Sequence, residues 1–166
     1  MNSSRFLIFL LYPQKRYIYY YRRCHNAKNR ISYLFWKYRM LRLGREYGLE
    51  IGDTAIIGED LQINHPFGIT ISGYAKIGKH CRIHKGATIG VKNGPKDVWG
   101  APTLGDYVYV GINSAIIGKI TIGDDVLIAA NTLVTKDVPS HSLVFGNPMQ
   151  IQHRDHATKY YIAVSD

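Results

Sequence analysis

The chain has 166 residues, 46% of them apolar and 20% charged, and only two cysteines, Cys24 and Cys81. That supports one domain with a packed core and excludes wholesale disorder, a disulfide framework and a four-thiolate zinc site. The net charge is +9, and the whole excess lies in residues 1–50, where 11 Lys/Arg face only Glu46 and Glu50. The first apolar run, Phe6 to Tyr12, is seven residues long, against the roughly 20 that span a bilayer. Pro13 and basic residues follow it without a small-residue cleavage site, so neither a span nor a leader is expected and the protein is read as cytoplasmic.

Residues 14–43 carry helical spacing. Tyr17, Tyr20, Tyr21 and Cys24 recur at i, i+3, i+4 and i+7, and Ile31, Leu34, Phe35 and Tyr38 repeat the pattern, with Leu41 following. Asn26 to Asn29 reads as a break with Asn29 as an N-cap, and Gly44 and Gly48 are expected to stop the second helix. Residues 1–48 therefore form a basic, aromatic helical segment that packs its stripe on the rest of the protein or on a neighbouring subunit. The alternative is contact with an anionic membrane, through Lys/Arg and interfacial aromatics. Nucleic acid is not expected as a partner, because no motif and no basic character elsewhere support it.

From Ile51 onward the chain repeats every six residues. Ile51, Ile57, Ile63 and Ile69, then Ile77, Ile83 and Ile89, then Leu104, Val110, Ile116, Ile122, Ile128 and Val134 are all aliphatic. Gly follows at 52, 58, 78, 90, 105, 111 and 123, which suggests turns with φ > 0. Small or medium residues such as Ala55, Cys81, Ala87, Ser114, Val126 and Thr132 stand four positions after the aliphatic. Short strands turned every six residues coil into a prism with a continuous aliphatic ladder inside, a parallel β-helix.

This hexad pattern, over residues 49–150, resembles the left-handed β-helix of the hexapeptide-repeat acyltransferases. The exit stretch from Ile128 to Pro148, with Lys136-Asp-Val-Pro139 and Gly146-Asn-Pro148, is similar to the last coil of that family. The resemblance implies acetyl-CoA as donor, no metal, and a homotrimer with the donor held between subunits. By position it assigns Gly111, Ile112, Ala129, Ala130 and Lys136 to the donor. Residues 151–166 are left as a polar tail, with His153 and His156 solvated.

The period breaks twice. The step from Ile69 to Ile77 is eight, just after Asn64-His-Pro-Phe-Gly68; the step from Ile89 to Leu104 is 15 and contains the Gly-, Pro- and Lys-rich loop 91–102 with Trp99. A solenoid needs its period, so both breaks are expected to frame one site. His65 at the first break suits a general base for acyl transfer to a hydroxyl. The stretch Glu50 to His65 is similar to the segment of serine acetyltransferases that ends in the catalytic Asp-His pair. That resemblance makes His65 the base and Glu50, 15 residues earlier, the acid that orients it; Asn64 stands where the family has Asp. Asn64, His84, Lys92 and Trp99 are the acceptor-binding candidates.

The loop departs from the serine enzymes. Their Arg-His pair, which helps hold the amino-acid acceptor, is replaced by Gly100-Ala101 before Pro102. The sequence therefore points first to an O-acetyltransferase acting on a sugar hydroxyl, free or lipid-linked, in surface-polysaccharide synthesis. Serine O-acetylation for cysteine biosynthesis is the alternative. A β-helix that binds metal or a partner without acyl transfer ranks last: His80 and His84 are four apart, but no third His stands at a fitting place other than His65, already assigned as the base. His141 belongs to the exit turn and is read as structural.

Overall fold

The computed structural model describes residues 11–96 and 98–162; residues 6–10 of the first apolar run lie outside the described residues. Among the described residues two helices come first, α1 (Pro13–His25) and α2 (Arg30–Tyr47). Pro13 opens α1, where its missing N–H costs nothing. The Asn29 side chain caps α2 by accepting from Ser32 N at 2.8 Å, and Gly48 ends it in the left-handed region at φ 61°. Gly44 does not stop the helix. It is buried within α2 where the chain folds back, and Leu49 N donates to its carbonyl at 2.9 Å.

The rest is a left-handed parallel β-helix of about five turns. Each turn lays a short strand on three sheets. Sheet A holds β1 (Glu50–Ile51), β4 (Thr70–Ile71), β7 (Thr88–Gly90), β10 (Ala115–Ile117) and β13 (Leu133–Val134). Sheet B holds β2 (Ile56–Ile57), β5 (Lys76–Ile77), β8 (Thr103–Leu104) and β11 (Thr121–Ile122). Sheet C holds β3 (Gln62–Asn64), β6 (Arg82–His84), β9 (Tyr109–Val110), β12 (Val126–Ile128), β14 (Ser142–Phe145) and β15 (Gln150–His153). All ladders are parallel except β14 with β15.

The aliphatic ladder forms with one change of register. Ile51, Ile71 and Ile89 are partners in sheet A, so Ile71 rather than Ile69 is the rung. Ile69 is buried too, at the place that Leu49 and Ala87 hold in neighbouring coils. The eight-residue step therefore runs from Ile63 to Ile71, and its two extra residues fall in the corner that contains His65. The expected second row of small residues, Ala55, Cys81, Ala87, Ser114, Val126 and Thr132, is buried as well.

The glycines after the rungs have a different cause from the expected one. None of the seven has positive φ. They are needed because coils stack closely: a Cβ on Gly58 would sit 2.6 Å from the carbonyl carbon of Gly78, and one on Gly111 2.7 Å from Ala130 N. Left-handed backbone instead falls on Asp60, His80, Tyr107, Asp125 and His141, one per coil at the corner between sheets B and C.

α1 packs its stripe on the first coil, as the spacing implied. Tyr17, Tyr20, Tyr21 and Cys24 are buried; Tyr21 donates its hydroxyl to Ala55 O at 2.5 Å, and Tyr17 OH accepts from Ile51 N at 3.0 Å. Burial pushes both phenols up to about 12. The α2 stripe differs: Ile31, Leu34, Phe35, Tyr38 and Leu41 are exposed, and Met40, Leu43 and Gly44 face inward. The segment after residue 150 also folds back. β15 pairs with β14, and Asp125 accepts from the amides of Ala157 (3.0 Å) and Thr158 (2.9 Å) and from the Thr158 hydroxyl (2.7 Å).

Candidate active site

His65 stands in the corner between sheets C and A, exposed, with φ 56°. Pro66 behind it is buried, and Gly68 N is held by Tyr47 O at 3.1 Å, so helix α2 braces the corner. Asn64, the last residue of β3, is the register partner of His84 in β6. The corners of later coils carry Gly111-Ile112 and Ala129-Ala130, joined by Gly111 N to Ile128 O at 2.9 Å and Asn131 N to Ile112 O at 2.8 Å. One edge of the prism thus collects Asn64, His65, His84, Gly111, Ile112, Ala129 and Ala130, running from imidazoles to Gly and Ala, with Ile112 the one bulky side chain among them.

His84 is the most unusual side chain on that edge. Its ring lies 4.9 Å from the Tyr109 ring, which meets Tyr161 at 5.0 Å. Both ring nitrogens are buried with no hydrogen-bond partner among the described residues. Burial, then the charges of Arg82 and His65, hold its pKa below the ordinary imidazole value, so the ring is neutral at neutral pH. Arg82 beside it donates to Gln62 Oε1 (3.0 Å from Nε) and to Tyr161 O (2.5 Å from Nη1). The sequence reading missed Arg82 and Tyr109. The signal was present, since residues one before and one after each rung face outward on the same strand as His84.

Glu50 starts β1, beside the same edge and one coil below Thr70. No hydrogen bond joins it to His65 among the described residues. It is exposed and lines a groove with Lys37 and Arg45 of α2.

Three candidates stand elsewhere, so the two breaks do not frame one site within a chain. Loop 91–102 leaves at the corner between sheets A and B, closed by Lys92 N to Gly100 O at 3.0 Å; Lys92 is exposed, and Trp99 packs edge-on against Tyr74 at 5.0 Å. Lys136 follows β13 and leads to Val138, which pairs with Ile122, so it is at the A/B corner too and away from Gly111 and Ala129. The cause is the hexad: each six residues advance one face, and these segments begin one face later than His65. His80 and His84 are also apart, at opposite ends of β6. His80 stacks on Tyr107 at 4.9 Å and faces Asp60 at 3.4 Å. Among the described residues no three His, Cys, Asp or Glu are grouped to hold a metal ion.

Residues 101–136 match the family model for bacterial transferase hexapeptide repeats. A serine acetyltransferase from Helicobacter pylori is 34% identical over 153 residues, 92% of this chain and 88% of that protein. The chain belongs to the serine acetyltransferase family. Serine acetyltransferase 2 of Arabidopsis thaliana is 35% identical over 131 residues, 79% of this chain but 40% of the plant protein. Among solved structures, the Neisseria gonorrhoeae serine acetyltransferase in complex with serine has a TM-score of 0.75 at 28% identity, covering 86% of this chain and 58% of that one. The chain thus spans under two thirds of the plant relative and of the neisserial structure. No helix among the described residues is long and apolar enough to cross a membrane.

Proposed function

We propose that the protein is an acetyl-CoA-dependent O-acetyltransferase whose acceptor is the hydroxyl of serine. The observation that carries the acyl-transfer reading is the single edge on which Asn64, His65 and His84 continue into Gly111-Ile112 and Ala129-Ala130. A base beside a run of small residues suits a hydroxyl acceptor next to a slender thioester donor. His65 takes the hydroxyl proton as the oxygen attacks the thioester carbonyl. The C–S bond then breaks, the imidazolium returns the proton to the departing thiolate, and the products are the O-acetyl ester and free CoA. Glu50 orients His65, and this requires the carboxylate to turn from the α2 groove toward the imidazole. Relatives named serine acetyltransferase, one matched over 88% of its length, favour serine over the sugar acceptor that ranked first in the sequence.

Sugar O-acetylation stays as the second reading for one reason. Gly100-Ala101 supplies no guanidinium where a carboxylate-bearing acceptor calls for one. Thiol release from acetyl-CoA across serine, serinamide and nucleotide- or lipid-linked sugars separates the two; turnover with sugars and none with serine overturns the serine reading.

The divided candidates also support a trimer. Sheet A lies between the two corners, so three copies with sheet A inward set the His65 edge of one against the Lys92, Trp99 and Lys136 edge of the next. Lys136 then serves as a cation for the donor's phosphates, and Lys92 and Trp99 close the acceptor end.

A further inference from the structure

We propose that the outward face of α2 is an interfacial element that docks the protein on an anionic lipid surface. Ile31, Leu34, Phe35, Tyr38 and Leu41 fall on one face of this helix and are 42–83% exposed. The opposite face is already used, with Met40, Leu43 and Gly44 buried against the rest of the chain. An amphipathic helix normally turns polar residues to water. This one has an apolar stripe on each side, and the outer one is uncovered.

Charge identifies the occupant. Arg42 and Arg45 continue the exposed face after Leu41, both without a carboxylate partner among the described residues. Beside Phe35 and Tyr38 opens a groove of about 500 Å³ lined by Arg16, Arg39 and Arg42, with Glu46 its one carboxylate. Arg39 is set in place by Tyr20, whose hydroxyl accepts from it at 2.8 Å and whose ring lies 5.0 Å below it. Arg16 has a buried Nε–H with no partner among the described residues. Guanidiniums converging on a groove with a spare donor are suited to a phosphodiester headgroup. The apolar stripe next to them lies at the depth of the acyl boundary when the helix rests in the surface plane. A second copy of the same face is the competing occupant. It would bring like charges together, with only Glu46 to offset them, whereas anionic lipid complements both the arginines and the stripe.

The test uses the full chain with vesicles of phosphatidylcholine alone and of phosphatidylcholine mixed with phosphatidylglycerol, in co-sedimentation with and without added salt. Each Arg that reaches an anionic surface adds about fivefold to partitioning. Binding is therefore expected to be at least about tenfold tighter to the mixed vesicles and to fall with salt. Arg42→Gln with Arg45→Gln should cost about tenfold or more, and Phe35→Glu should abolish association. Phe35 and Arg42 are exposed and line no part of the Glu50 groove, so for Phe35→Glu and for Arg42→Gln alone circular dichroism and acetyl transfer to a soluble acceptor should be unchanged. Equal, negligible binding to both vesicles overturns the proposal. So does a fall in oligomer size by light scattering for Phe35→Glu with vesicle binding unaltered, which would make the face a contact between copies.

Discussion

At the scale of single residues, the corner at His65 is wider than its counterparts by two residues, and the extra chain presents the imidazole to solvent on a left-handed backbone. If His65 is the base, His65→Ala should lower kcat by about 10²–10⁴, while acetyl-CoA binding measured by calorimetry is retained. Near-normal turnover would transfer the role to His84. That residue carries a different signature. Each buried, unsatisfied polar group costs about 1–3 kcal/mol, so the fold keeps His84 at a loss. His84→Phe should raise thermal stability, by about 2–4 °C for each kcal/mol regained, and raise KM for the acceptor. The pH dependence has a definite sign. His84 has a lowered folded pKa, so the unfolded chain takes up a proton that the fold refuses. The protein therefore loses stability as pH falls below about 6.5, the ordinary imidazole value, and keeps it above. In His84→Phe, denaturant melts should show less of that acid sensitivity; an unchanged slope would mean that the imidazole protonates freely in the fold.

At the scale of elements, the hexad was legible because an inward side chain every sixth residue leaves a mark that composition cannot hide. The register at the first break was not, because Ile69 and Ile71 are both aliphatic and both buried. Only the pairing of Ile71 with Ile51 and Ile89 decides between them. The glycines were visible but their cause was not, since close coil approach and positive φ select the same residue. The helical stripes were visible too, yet spacing does not say what covers a stripe, and only that of α1 is covered. The strap formed by residues 150–162 left no periodic mark at all. Its anchor is Asp125, whose carboxyl burial would raise, but hydrogen bonds from Thr158, the His141 ring and the Ala157 amide hold it lowered. Asp125→Ala should cost about 1–3 kcal/mol, because four donors lose a charged acceptor. Hydrogen exchange should speed up at residues 154–162 and hardly change in β4 or β7. A carboxylate with a lowered folded pKa stabilises the fold above its unfolded value near 3.9 and loses that contribution as pH falls through the folded one. The strap in the wild-type chain should therefore loosen below about pH 4.

At the scale of the whole molecule, the prism separates the candidate site residues. The His65 edge and the Trp99 edge lie on two different corners, with sheet A between them. Length along the axis does not close that gap, since each coil repeats the same three corners. A site built from both edges requires a second copy, and this makes a test that single-variant assays lack. His65→Ala subunits keep an intact loop, and Trp99→Ala subunits keep an intact base. Each variant alone should be impaired, Trp99→Ala mainly in KM for the acceptor. When the two are mixed, unfolded and refolded together, about a quarter of the interfaces in a closed ring pair an intact His65 edge with an intact Trp99 edge. Activity at low acceptor concentration should recover toward that fraction of wild type. Mixing without unfolding should recover nothing unless subunits exchange. If the refolded mixture shows only the average of its parents, each site is complete within one chain. Trp99 would then have no part in it, because no path on a single prism brings that corner to His65.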